Sequence, residues 1–66
     1  MSIGERLRRL RSEKGFTQKD VATGMGLTIS AYSNYENDLR EPSIEIIKKL
    51  CAYYQVTADY LLGLED

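Results

Sequence analysis

Residues 18–35 read QKDVATGMGLTISAYSNY, two short helical patterns on either side of a glycine. Ala22 follows Gln18 by one helical turn, Gly26 follows Ala22 by another, and Thr28 is placed to cap the next element. Helices this short, joined by so tight a turn, cross steeply only where the contact residue is small and the turn residue can adopt φ > 0. Ala22 and Gly26 meet those two needs. The second helix is then pushed out from the body of the domain, where it can enter the DNA major groove. The segment 17–36 is therefore expected to be a helix-turn-helix that binds DNA sequence-specifically.

The surroundings set limits on other functions. A chain of 66 residues buries only roughly 60% of its unfolded surface, which leaves little room for an enclosed active site. There is no histidine, and the single cysteine, Cys51, cannot organise a metal site or a Cys-His nucleophile pair. No Gly-rich phosphate loop is present, so neither an enzyme nor a cofactor is expected. Cys51 lies in an apolar helical pattern and reads as a small core residue in a reducing cytoplasm. The charged start MSIGERLRRLRSEK is not a secretory signal, and no apolar run is long enough to span a membrane.

Net charge is −1, but it is unevenly spread. Residues 1–19 carry six basic side chains against two acidic ones, a balance of +4, whereas residues 20–66 carry three against eight, a balance of −5. A basic face is the electrostatic footprint that nucleic acid requires. Arginines that merely solvate the outer face of the first helix would give the same count.

Outward from the central segment, Ile3, Leu7 and Leu10 mark one face of a first helix over about residues 2–14. Ser2 can cap it, with Glu5 at the capping-box position, and Gly15 ends it. Thr17 caps a second helix over 18–25, whose inward residues are Val21, Ala22 and Met25; Gly24 inside it has no evident reason. Leu27 plugs the core beneath the turn. Thr28 caps a third helix over about 29–37 with Ala31, Tyr32 and Tyr35 inward. The stretch 37–42 is a loop. Ser43 caps a fourth helix with a buried stripe of Ile44, Ile47, Leu50, Cys51 and Tyr54. Thr57 caps a last helix over about 58–62, closed by Gly63. The expected fold class is all-α: one five-helix domain over 1–66.

These residues resemble the Xre-type (Cro and phage-repressor-like) helix-turn-helix proteins over essentially the whole chain. The matching pieces are IGERLRRLRSEKGFTQKDVA, then GL-T-ISAYSNYEN, then REPSIEIIKKLCAYYQVTADYLLG. Gln18, Ala22, Gly26, Tyr35-Glu36, Glu41-Pro42-Ser43 and Leu61-Leu62-Gly63 fall at the family's spacing. The resemblance implies a compact lambda-repressor-like five-helix domain that binds operator DNA as a homodimer and regulates transcription, as a repressor in the first instance. It also implies that Arg11 and Glu36 form a structural bridge holding the recognition helix. Two departures stand out: Tyr32 replaces the usual Ile or Val on the inward side of the third helix, and Gln55 replaces the usual glycine after the fourth.

With the third helix in the groove, Ile29, Ser30, Ser33 and Asn34 are expected to face base edges. Asn34 is the best reader, since its amide can bond adenine at two atoms, and Ile29 suits a thymine methyl. Thr17, Gln18, Lys19, Thr28, Asn37 and Arg40 are expected to meet phosphates, Gln18 and Lys19 at a helix N-terminus that favours an anion. Ile46, Tyr53, Tyr60 and Leu64 are apolar where the pattern expects solvent, which suggests one patch and an isologous homodimer. Such a dimer would set two recognition helices about 34 Å apart for an inverted-repeat operator in double-stranded DNA. The alternative is a protein-interaction module of the same fold, an antitoxin or adaptor. An enzyme or small-molecule sensor has no supporting motif.

Overall fold

Among the described residues every helix starts at a hydroxyl. In the computed structural model, which describes residues 1–64, Ser2, Thr17, Thr28, Ser43 and Thr57 are extended residues whose side chains accept from the backbone N–H three positions on. The last two positions of the expected 1–66 unit lie outside the described residues. Each such cap is worth about 1 kcal/mol. Five helices follow: α1 (Ile3–Lys14), α2 (Gln18–Met25), α3 (Ile29–Glu36), α4 (Ile44–Tyr54) and α5 (Ala58–Leu62). The caps of α1 and α2 are full capping boxes, with Glu5 and Asp20 reaching back to the cap backbone. Asn37, expected within the third helix, is instead its C-cap.

Gly26 takes the left-handed conformation that the turn between α2 and α3 needs, at φ 70° and ψ 30°. Leu27 N–H then bonds the Ala22 carbonyl at 2.8 Å, and Ala22 itself is buried against the crossing helix. Gln55 adopts a similar conformation after α4, at φ 56° and ψ 49°, without a glycine's freedom.

The core gathers Leu7, Leu10, Val21, Ala22, Met25, Tyr32, Leu50, Tyr54 and Leu61. Helices α1 and α2 both pack on α3, while α4 joins α2 to α5 and α5 returns to α1. The body measures 30 × 23 × 19 Å. Gly24 has a packing reason: a Cβ there would stand 2.5 Å from Cε1 of Tyr53. The Tyr53 ring lies edge-on to both Phe16 and Tyr54.

Two expectations about the apolar residues require correction. Ile44, placed in the buried stripe of α4, is 73% exposed; it occupies the first turn, and Ile47 one turn later takes the inward direction. Ile46, Tyr53 and Tyr60, expected at the surface, are half-buried and packed against the core. Tyr60 also lies under the guanidinium of Arg6, 5.5 Å from the ring centre. Ala31 and Tyr35 are half-buried, leaving Tyr32 as the deep apolar contact of α3.

Candidate nucleic-acid interface

A buried charge pair fixes α3 to the rest of the domain. Glu36 is fully buried at the end of α3. It receives Arg11 Nε at 2.6 Å and Arg11 Nη2 at 3.1 Å, a two-pronged contact from α1. Gln18 Nε2 donates to the same carboxylate at 3.1 Å from α2, and Arg11 Nη1 donates to the Phe16 carbonyl at 3.0 Å. Burial by itself would raise the Glu36 pKa, but hydrogen bonds from Arg11, Tyr32 and Gln18 outweigh it and hold the carboxyl below its ordinary range. The same hydrogen bond raises the Arg11 pKa.

Tyr32, the unusual inward residue, joins this network. Its hydroxyl lies beside Glu36 and is 2.7 Å from the hydroxyl of Tyr54. Burial pushes both phenols up, Tyr54 to about 12 and Tyr32 further. An aliphatic side chain at position 32 would leave the Tyr54 hydroxyl without this partner, so the two tyrosines form a matched pair.

With its inner side so held, α3 turns the opposite side to solvent. Thr28, Ser30 and Asn34 line one open depression with Ala31, Tyr35 and Arg40. Ile29 is 47% exposed beside them. Arg40 is carried back to this face because Leu39 N–H and its own N–H both bond the Asn34 carbonyl, at 2.9 and 3.4 Å. The Thr28 hydroxyl accepts from Ala31 N–H as the cap.

The remaining expected contacts divide between exposed side chains and ones already bonded within the domain. Thr17 is exposed, and its hydroxyl is occupied as the α2 cap. Lys19 is exposed at the α2 N-terminus, while the Gln18 side chain turns inward to Glu36 rather than outward. Asn37 is exposed but already bonded, accepting from Arg8 and donating to Ser33. Leu64 is 72% exposed, whereas Ile46, Tyr53 and Tyr60 are largely consumed by the core. Leu62 in α5 and Ile44 at the start of α4 are other large apolar groups left open, at 47% and 73% exposure. Leu62 lines a groove with Ile3, Pro42 and Ile47.

Two residues that matter here escape sequence reasoning. Asp38, at φ 57° in the loop after α3, accepts from Ser2 Oγ at 2.7 Å and Gly4 N–H at 3.0 Å. It thereby closes the positive end of α1 with a negative charge. A Cβ on Gly4 would strike both the Glu36 carbonyl and the Asp38 carboxylate. Arg8 stands one turn before Arg11 on α1, and Nη2 donates to the Glu36 carbonyl at 3.0 Å. That i, i+3 spacing to Arg11 was the available signal for Arg8; for Asp38 there was none. Arg8, Arg9 and Arg11 line an open groove along α1. Among the described residues no group of His, Cys, Asp and Glu could hold a metal ion, and no helix is long and apolar enough to cross a membrane.

The five-helix fold that carries this helix is shared with known proteins. The helix-turn-helix family model matches residues 7–61. The chain belongs to the Xre-type helix-turn-helix family. It is 41% identical to the HTH-type transcriptional regulator ImmR of Bacillus subtilis, over all of this chain and 52% of that protein. The P22 c2 repressor, solved in complex with a synthetic operator, superposes with a TM-score of 0.91 at 29% identity, covering 98% of both chains. The biofilm master regulator SinR, solved in complex with DNA, gives a TM-score of 0.82 at 33% identity, covering 89% of this chain and 95% of that one. The fold is that of the phage-repressor domains. The chain spans about half the length of the curated relatives it matches.

Proposed function

We propose that this protein binds double-stranded DNA sequence-specifically, as a homodimer at an inverted-repeat operator, and regulates transcription as a repressor. The observation that carries this reading is the outer face of α3. Ser30, Asn34, Thr28 and Arg40 share one depression there, on a helix whose inner side is pinned by Glu36 to both α1 and α2. A rigid helix is what base readout needs, because a loosely held one would lose the geometry of each hydrogen bond. The N–H groups at the start of α2, with Lys19 beside them, supply an anchor for one phosphate. The P22 c2 repressor and SinR, both similar in fold and both solved with DNA, support DNA as the partner.

The homodimer draws on Leu64 with Ile44 and Leu62, the exposed apolar groups of α4, α5 and the segment after α5. Joining two copies through that end would present two α3 helices to successive major grooves about 34 Å apart. The test is selection from random duplexes at near-physiological salt, with the mass of the bound species measured by sedimentation. An enriched inverted repeat bound by two chains is expected. Weak, motif-free binding that salt abolishes would instead favour a protein-interaction module.

A further inference from the structure

Arg8, Asn37 and Ser33 form a hydrogen-bond chain that runs from α1 to the outward face of α3. Besides the Glu36 carbonyl, Arg8 Nη2 donates to Asn37 Oδ1 at 3.2 Å. A guanidinium carries only donors, so the Asn37 amide must turn its oxygen toward Arg8 and its nitrogen away. That nitrogen donates to Ser33 Oγ at 3.2 Å. One lone pair of the Ser33 hydroxyl is thus occupied, and its proton meets no acceptor among the described residues. Ile29, Ser33 and Asn37 stand one turn apart on a single face of the helix.

We propose that Arg8, acting through Asn37, fills one of the two lone pairs of Ser33 and biases its hydroxyl toward donating to DNA, so that Ser33 disfavours cytosine at the base it faces. The proposal rests on the reading that α3 enters the major groove. In that groove guanine offers O6 and N7 as acceptors, adenine N7 and thymine O4, while cytosine offers an amino donor. Arg8 is a positioning residue, and Ser33 makes the contact. A phosphate oxygen would satisfy the same donor without selecting any base.

Asn37→Asp reverses the polarity without changing shape. An ionised carboxylate only accepts, so it would take Arg8 on one oxygen and the Ser33 proton on the other, leaving the Ser33 lone pairs outward. Duplex selection is run on the full chain in parallel for wild type, Ser33→Ala and Asn37→Asp, each checked for a cooperative thermal melt. The wild type should deplete cytosine at one half-site position by roughly three- to tenfold, the worth of one net hydrogen bond. Ser33→Ala should flatten that position, and Asn37→Asp should raise cytosine there by a similar factor. If Asn37→Asp does not fold, Arg8→Met, which frees the amide to rotate, should weaken the same depletion. Variants that keep the wild-type base frequencies at every position, with uniformly weaker binding, would overturn the relay and assign the cluster to phosphate. A wild-type selection with no motif would overturn the DNA-binding reading itself, a separate and recognisable result.

Discussion

Arg11 grips the buried carboxylate of Glu36 with two nitrogens, Nε at 2.6 Å and Nη2 at 3.1 Å, and so ties the C-terminal turn of α3 to α1. Removing one partner of such a pair leaves an uncompensated buried charge, which costs about 3–5 kcal/mol. Arg11→Met should therefore lower unfolding free energy by roughly 3 kcal/mol in urea titration. Adding Glu36→Gln in the same chain should restore part of the loss, because a neutral amide needs no counter-charge. An Arg11→Met variant as stable as wild type would contradict the anchoring role.

The Tyr32–Tyr54 pair should behave as a unit. Tyr32→Phe leaves the Tyr54 hydroxyl buried without its partner, at a cost of about 1–3 kcal/mol. Tyr54→Phe should cost about 1 kcal/mol, since Tyr32 keeps Glu36 beside it. The double variant should lose less than the sum of the two, a coupling that chemical denaturation measures directly.

Stability should form a plateau bounded by these same groups. The folded Glu36 pKa is depressed, so its contribution is present above the ordinary value of 4.5 and is lost as pH falls through the lower folded value. The folded Tyr54 pKa is raised, so its contribution is present below 10.0 and is lost as pH rises toward about 12. Thermal melts from acid to alkaline pH should show both edges, and Tyr32→Phe together with Tyr54→Phe should blunt the alkaline one.

Gly24→Ala should change sign with its neighbour. In the wild type the added methyl meets the Tyr53 ring, and overpacking of this kind costs about 1–3 kcal/mol. In a Tyr53→Ala background the same change should stabilise by about 1 kcal/mol, the helix propensity of alanine over glycine. Equal effects in both backgrounds would show that Tyr53 is not the reason for the glycine.

Gln55→Gly should stabilise the protein by about 1 kcal/mol, because a left-handed residue with a Cβ carries a penalty of that order. Its melting temperature, compared with wild type, gives the answer.

The helices were legible because their punctuation is local. Ser2, Thr17, Thr28, Ser43 and Thr57 act on N–H groups three residues away, and Gly15, Gly26 and Gly63 act at their own φ angles. Periodicity gave the inward face of each helix but not where its neighbours stop. For that reason Ile44 was expected inside, and Ile46 and Tyr60 outside, whereas Ile44 is exposed and the other two are half-buried against the core. Apart from the Arg11–Glu36 bridge that the family resemblance implied, contacts across long stretches of sequence left no mark. The cap that Asp38 places on α1, the Tyr32–Tyr54 bond and the turn of Gln18 toward Glu36 each depend on how the helices cross. The outer face of α3 was readable because nothing packs there, and its residues follow from the inward positions by subtraction.

The central claim is that α3 reads DNA, and the most direct test is binding of wild type and Asn34→Ala to a selected duplex and to its scrambled counterpart. At near-physiological salt the wild type should prefer the selected duplex by a factor on the order of a thousand or more. Asn34→Ala should lose about 1–3 kcal/mol on the selected duplex and little on the scrambled one. Equal wild-type affinity for both duplexes, or a loss from Asn34→Ala that is the same on each, would contradict recognition through α3.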